Sequence, residues 1–252
     1  MIIIGLLILS SLSKATETYA GKTLFPRELK LVYFHDFEPL SWKSENGEMK
    51  GIYIDFMNET LKKRLKIEIS HEGYPWARAQ KMVQMGRADG FVTFPSQERK
   101  KYTRVSREVL TYGEHRIYTA IDSPMIPQLQ QANSLGELRE FQFVDYIGNG
   151  WAKETFKGMN VIWVPTMDRV FEVLAGRKKL IHIGLTPVIR YLIKQGGHAD
   201  KVCELPQPLD RVPIHLCIGV QSPFTKIIPE FDRVFKEMKK DGTYQNIFER
   251  YQ

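Results

Sequence analysis

Short apolar runs alternate with stretches of helical period along most of the chain. LKLVYF at 29–34 predicts a strand. Residues 35–42, interrupted by Pro39, predict a loop, and Asn46-Gly47 a turn. Residues 51–65 carry Ile52, Phe56 and Leu61 at helical spacing and predict a helix. A short strand is expected at 67–70, a helix over 76–85 closed by Gly86, and a strand at 89–93. This alternation predicts an α/β domain with a largely parallel sheet.

The pattern then starts again. Strands are expected at 140–146, 161–164, 180–185 and 214–220. Helices are expected from Trp151, over 167–174, over 187–194, over 229–240 and over 244–251. Gly148-Asn149-Gly150 forms a glycine loop that opens the first of them. Two similar α/β blocks flank residues 106–119. Two lobes with a cleft between them are therefore expected, because α/β sheets bind ligands at the carboxyl ends of their strands.

The start of the chain departs from this pattern. Residues 2–12, IIIGLLILSSL, are apolar throughout but shorter than the about 20 residues a bilayer-spanning helix needs. The run suits the core of a secretory signal peptide, with cleavage expected after Ala15 or Ala20. No Lys or Arg precedes it, and a buried N-terminal strand is the alternative. The leader offers no Cys for a lipid anchor, so an exported, unanchored periplasmic protein is expected. That compartment permits a disulfide between Cys203 and Cys217; two free buried thiols are the other possibility.

Composition mainly excludes. A chain of 252 residues with 43% hydrophobic and 26% charged content is globular, of one or two domains. The net charge of +7 is scattered over short basic runs such as Arg99-Lys100-Lys101, so no nucleic-acid partner is expected. HExxH, GxSxG, GxxxxGK[ST] and CxxC are all absent, and the six histidines show no metal-ligand spacing. No cofactor or metal is expected. His182 sits within an apolar strand and reads as structural. Asp55 and Glu59, one helical turn apart, read as a solvated helix face. Nothing points positively to catalysis.

The segment Ser222 to Tyr251 ends in Lys240-Asp241-Gly242-Thr243-Tyr244 and Arg250-Tyr251. It resembles the closing helices of the bacterial extracellular solute-binding proteins of family 3, the periplasmic receptors of amino-acid and related ABC importers. Further motifs follow in family order. They are Phe37-Glu38-Pro39-Leu40-Ser41-Trp42, Gly51-Ile52-Tyr53-Ile54-Asp55, Tyr74-Pro75-Trp76, Gly86-Arg87-Ala88-Asp89-Gly90 and Gln97-Glu98-Arg99. The resemblance implies a two-lobed type II periplasmic-binding-protein fold. After a signal peptide over 1–20, lobe one would take 21–110 and 214–252, and lobe two 111–213. Hinge strands would lie near 107–119 and 209–214.

The resemblance also implies a site. Arg99 stands where the family grips the ligand carboxylate, and a guanidinium fork suits that task. Phe37 falls at the family's ligand-facing aromatic. Trp76 and Arg78 start a helix at the lobe-one rim, and Thr93 ends a strand there. In lobe two, Gly150 and Trp151 occupy the family's glycine loop. Thr186 stands where amino-acid receptors carry an Asp for the ligand ammonium. That departure, with Trp151-Ala152 in place of the family's hydroxyl pair, predicts a small acidic solute without an ordinary α-amino group. The expected protein is a monomeric, non-enzymatic receptor that feeds an ABC permease of the inner membrane. An enzyme resembling cyclohexadienyl dehydratase and a stand-alone sensory module are the alternatives.

Overall fold

A computed structural model describes residues 28–251. The leader and both cleavage points lie outside them. β1 (Leu29–Phe34) buries Leu29, Leu31, Val32 and Tyr33, as a strand covered on both faces must. Where the sequence suggested a loop, β2 (Asp36–Phe37), β3 (Ser41–Lys43) and β4 (Met49–Lys50) form a small antiparallel sheet. These strands are too short to show an alternating pattern. The turn at Asn46-Gly47 joins β3 to β4, with Gly47 at a left-handed φ of 86°.

α1 (Ile52–Met57) runs directly into a π-helical stretch, Asn58–Arg64, rather than one uniform α-helix. Its Asp55 and Glu59 serve as surface ion-pair partners of Arg250 and of Lys63 and Arg64, not as a carboxylate dyad. β5 (Ile69–Tyr74) and β6 (Gly90–Thr93) flank β1 in parallel, with α2 (Trp76–Gln84) connecting them. α3 (Gln97–Tyr102), β7 (Thr103–Val105) and β8 (Thr111–Gly113) follow.

The second block contains β9 (His115–Ala120), α4 (Ile126–Leu129), β10 (Gln142–Tyr146), α5 (Gly150–Thr155), β11 (Val161–Val164), α6 (Met167–Gly176), β12 (Leu180–Leu185), α7 (Thr186–Gln195) and β13 (Val202–Pro208). The chain then returns to the first block as β14 (Val212–Gly219), α8 (Ile228–Lys240) and α9 (Thr243–Glu249). β13 escaped the sequence pattern because its prolines disguise it. It lies at a sheet edge, where missing N–H groups are tolerated.

The strand order is β5-β1-β6-β14-β7 in lobe one, with β8 on β14, and β11-β10-β12-β9-β13 in lobe two. Because β8 pairs with Val212–Ile214, the chain crosses between the lobes at Glu114 and again over 209–211. Lobe one is packed by aromatics. Phe56 meets Phe235 edge-on at 5.4 Å and stacks on Tyr244 at 5.0 Å.

The possible disulfide is not formed. Cys203 lies on β13 in the lobe-two sheet, while Cys217 is buried on β14 in the lobe-one sheet, and both thiols are free. Belonging to different sheets, the two sulfurs have no route to bonding distance.

Candidate functional site

β1, β5 and β6 run parallel, so their carboxyl ends at Phe34, Tyr74 and Thr93 open on one edge of lobe one. Trp76 follows β5 at once as the first residue of α2, and its ring meets Phe91 edge-on at 5.5 Å. Ser96 caps α3 by accepting from the Arg99 amide at 3.3 Å, which turns Arg99 back toward this edge. Its guanidinium lies 5.3 Å from the centre of the Trp76 ring. Arg99 Nε donates to Gln80 Oε1 at 3.0 Å and Nη1 to the Phe94 carbonyl at 2.8 Å. Burial pulls the Arg99 pKa below its ordinary value, but a guanidinium stays charged in proteins. No carboxylate among the described residues forms an ion pair with it, and Nη2 has no hydrogen-bond partner there.

The other lobe-one candidates spread around this pair. Phe37 is half-buried against Phe34, with ring centres 5.7 Å apart, and packs on the lobe-one core. Arg78 is exposed and covers the Tyr74 ring at 4.5 Å. Thr93 is half-buried at the end of β6, opposite His215.

Two carboxylates missed by sequence reasoning flank Phe37. Neither Asp36 nor Glu38 has a side-chain partner among the described residues. Burial, and then the nearby Asp36 charge, raises the Glu38 pKa. Both charges reach lobe two. Burial, Asp145 and Asp36 raise the Tyr146 pKa, while burial and Glu38 raise that of Tyr191. Asp36 is thus sensed by Tyr146 at the end of β10, and Glu38 by Tyr191 on α7. In sequence the two acids were hidden inside the motif read for its aromatic and proline.

In lobe two, β10, β11 and β12 are parallel and end at Tyr146, Val164 and Leu185. The glycine loop lies at this edge. Asn149 Oδ1 accepts from the Ala152 amide at 3.1 Å, and Asn149 Nδ2 donates to Asp145 Oδ1 at 3.0 Å. The loop is thus pinned to a fully buried acid, a relation visible in sequence only as an Asp and an Asn four positions apart. Gly150 is exposed and has open space where a Cβ would stand, so sterics do not demand glycine there.

Trp151 is 37% exposed and stacks face to face on His115, with ring centres 4.2 Å apart and planes 1° from parallel. The His115 ring is fixed by an Nδ1 contact of 2.9 Å to Asp210, which also accepts the His115 amide at 3.1 Å. Burial opposes ionisation of Asp210, but these bonds outweigh it and hold its carboxyl below the usual range. Thr186 is buried, and both its amide and its hydroxyl donate to the Glu114 carbonyl, at 2.9 and 3.0 Å. Its hydroxyl therefore braces the crossing point between the lobes.

The geometry joins Trp76 with Arg99, and Trp151 with His115 and Asp210. It places Thr186 beside Glu114, whose carboxylate meets Arg116 at 2.8 Å and Arg211 at 3.3 Å. Asp168, another acid of lobe two, is taken by His198 at 2.8 Å. His182 is structural as expected, with Nδ1 donating to the Val144 carbonyl at 3.1 Å. Among the described residues no group of His, Cys, Asp and Glu is arranged to hold a metal, and no helix is long and apolar enough to cross a membrane.

The family model of the bacterial extracellular solute-binding proteins, family 3, matches residues 29–252. The lysine/arginine/ornithine-binding periplasmic protein of Escherichia coli (strain K12) is 21% identical over 99% of this chain and 95% of its own length. Among solved structures, an ancestral cationic amino acid solute-binding protein superposes with a TM-score of 0.67 at 21% identity, covering 89% of this chain and 95% of its own. A Wolinella succinogenes protein assigned as the binding component of an ABC transporter, complexed with lysine, gives a TM-score of 0.68 at 17% identity. It covers 90% of this chain and 96% of its own. These likenesses establish the two-sheet α/β architecture of type II periplasmic binding proteins.

Proposed function

The chain belongs to the bacterial extracellular solute-binding proteins, family 3, and from that premise we propose that it captures a small amino-acid-type solute between its lobes for an ABC importer. The observation that carries this reading is Arg99. It is a half-buried guanidinium, oriented by Trp76, Gln80 and Phe94, with no carboxylate of the protein paired to it. A ligand carboxylate completes it by charge-assisted hydrogen bonds. The unpartnered Asp36 and Glu38 supply the counter-charge for a ligand ammonium. This replaces the acidic solute without an ammonium that Thr186 suggested, because the needed acids lie in lobe one. Trp151, stacked on His115, offers the aromatic wall from lobe two. The receptor works in the periplasm as a monomer after removal of its leader.

The test is a thermal-shift screen of cationic and neutral amino acids beside dicarboxylates and keto acids. A ligand at ~100 times its Kd adds about 2.7 kcal/mol of stability. Arg99→Ala then costs roughly 2–5 kcal/mol of binding. Normal binding by that variant removes the anchor, and binding of dicarboxylates alone removes the role of Asp36 and Glu38. Lobe closure is read separately by small-angle scattering, where saturating ligand should compact the molecule.

One observation favours a second reading. Glu38 is a carboxyl at the cleft with a raised pKa, the property a general acid needs. A dehydratase would use it to protonate a leaving hydroxyl. Ultraviolet assay of prephenate- and arogenate-like acids decides. Turnover lost in Glu38→Gln establishes the enzyme, and absence of turnover with intact binding establishes the receptor.

A further inference from the structure

Two rings hold Trp151 among the described residues. Phe156 meets its edge at 5.5 Å and 77°, and His115 covers one face at 4.2 Å and 1°. Phe156 closes the same short helix, whereas His115 opens β9 just after the first crossing from lobe one. With one face covered, the 37% of Trp151 that stays exposed is left to the opposite face and the rim.

The His115 ring is itself held from the return passage. Its Nδ1 lies 2.9 and 3.0 Å from the two Asp210 oxygens, and Asp210 Oδ1 also accepts the His115 amide at 3.1 Å. A carboxylate that grips one residue at both ring and backbone fixes the rotamer of that ring. Beside it, the Leu209 amide donates to the His115 carbonyl at 2.9 Å. On the outgoing passage, the Thr186 hydroxyl holds the Glu114 carbonyl. The Asp210 side chain is 38% exposed, and the charge of such a pair contributes little to stability because water and salt screen it. What the contact does supply is orientation.

We infer that Asp210 is a positioning residue of the solute site: acting through His115, it sets the plane of the Trp151 ring and ties the lobe-two wall to the pivot. This rests on the reading of the cleft between the lobes as the solute site. When lobes turn, a few residues at the crossings absorb the change in backbone angles. Asp210 lies in one crossing and His115 follows the other, so hinge angle and ring plane change together. A wall set from the pivot presents its free face in one orientation at each hinge angle. A flat solute group then favours the angle at which it lies parallel to the ring.

The test reads Trp151 directly in the full mature chain and needs no solute. Acrylamide quenching of tryptophan fluorescence is measured for each variant and for the same variant carrying Trp151→Phe, so that the difference belongs to Trp151. Asp210→Ala should raise the Trp151 quenching constant about twofold, as one ring face passes from stacked to solvated. Asp210→Ser takes its place should the alanine variant not fold, with circular dichroism as the folding control. Asp210→Asn should restore the native value, because Oδ1 alone can accept both the amide and the ring N–H. His115→Gln should match Asp210→Ala, and adding Asp210→Ala to it should change nothing further. A merely structural role for Asp210 would not be silenced in that way. Native quenching in either single variant, or a further rise in the double variant, overturns the inference. The solute screen stays separate. The stated Trp151 responses in a chain that binds no solute leave the relay standing and remove the receptor reading, whereas solute binding with an unmoved Trp151 signal does the reverse.

Discussion

The two lobes share an architecture but hold themselves together differently. Lobe one rests on an aromatic cluster. Phe56, Phe231, Phe235, Tyr244 and Phe248 interlock between α1, α8 and α9, with ring centres 5.0–6.0 Å apart. Lobe two adds polar networks, one half-buried at Glu204 on its edge strand and one fully buried at Asp145. Glu204 accepts from Arg116 at 2.7 Å, Arg190 at 2.7 Å and Tyr118 at 2.9 Å, and Asp145 and His182 are buried on adjacent strands. Burial of rings depends little on pH, whereas a buried carboxylate depends on it strongly. The comparison teaches that acid should act where carboxylates are held, at Glu204 in lobe two and at buried Asp89, Glu59 and Glu72 in lobe one, and spare the aromatic cluster itself.

The largest effect tests the apolar side. Phe235 is fully buried and touches Phe56, Phe231 and Tyr244. Phe235→Ala should cost about 3–5 kcal/mol through lost transfer energy and the cavity left behind. Urea unfolding measures it, and the loss should be the same at pH 5 and pH 7. A cost below about 1 kcal/mol would show that the cluster is not the pillar of lobe one.

Glu204→Gln tests the polar side and should cost about 2 kcal/mol at neutral pH, since two guanidinium groups lose their shared charge. Burial opposes ionisation of Glu204, but Arg190, Arg116 and Tyr118 outweigh it and lower its pKa. A lowered folded pKa contributes stability above the unfolded value of about 4.3, lost as pH falls through the folded value. The variant should therefore lose less stability than the native chain on acidification below about pH 4. An identical acid slope in the two proteins would remove Glu204 from the account.

Much of this architecture is legible in sequence, because Leu31, Phe56, Val83, Val144 and Val170 keep the period of the elements they belong to. Buried apolar faces impose that period directly. The site is less legible. Trp76 and Arg99 are 23 positions apart, and only the return of α3 after β6 brings them together. His115 and Asp210 lie on the two hinge passages, and their contact exists only once the chain has crossed twice. Thr186 stands in a motif position that suggests a ligand group, and the bond from its hydroxyl to the Glu114 carbonyl is invisible in sequence. The Glu204 network and the pairing of Asp145 with Asn149 carry no periodic signal, since a polar residue in a strand looks alike whether buried or exposed.

Asp145 gives the smallest effect and sharpens the comparison furthest. It is fully buried, and only one of its oxygens is satisfied, by the Tyr146 amide at 2.7 Å and Asn149 Nδ2 at 3.0 Å. The other lies 3.5 Å from His182 Nδ1, too far for a good hydrogen bond, and has no partner. Burial raises its pKa against the lowering effects of His182, Asn149 and the Tyr146 amide. The sign is opposite to that of Glu204. A raised folded pKa contributes stability fully present below the unfolded value of about 3.9 and lost as pH rises through the folded value. Asp145→Asn keeps the acceptor that Tyr146 and Asn149 use and removes the charge. It should therefore stay within about 1 kcal/mol of the native chain at pH 7 and flatten the decline in stability above pH 4. Urea midpoints across pH 4–7 measure both. A loss above about 3 kcal/mol at pH 7 would mean that Asp145 is held ionised by His182, and that the buried polar side of lobe two is a charge pair rather than a cost carried to pin the glycine loop.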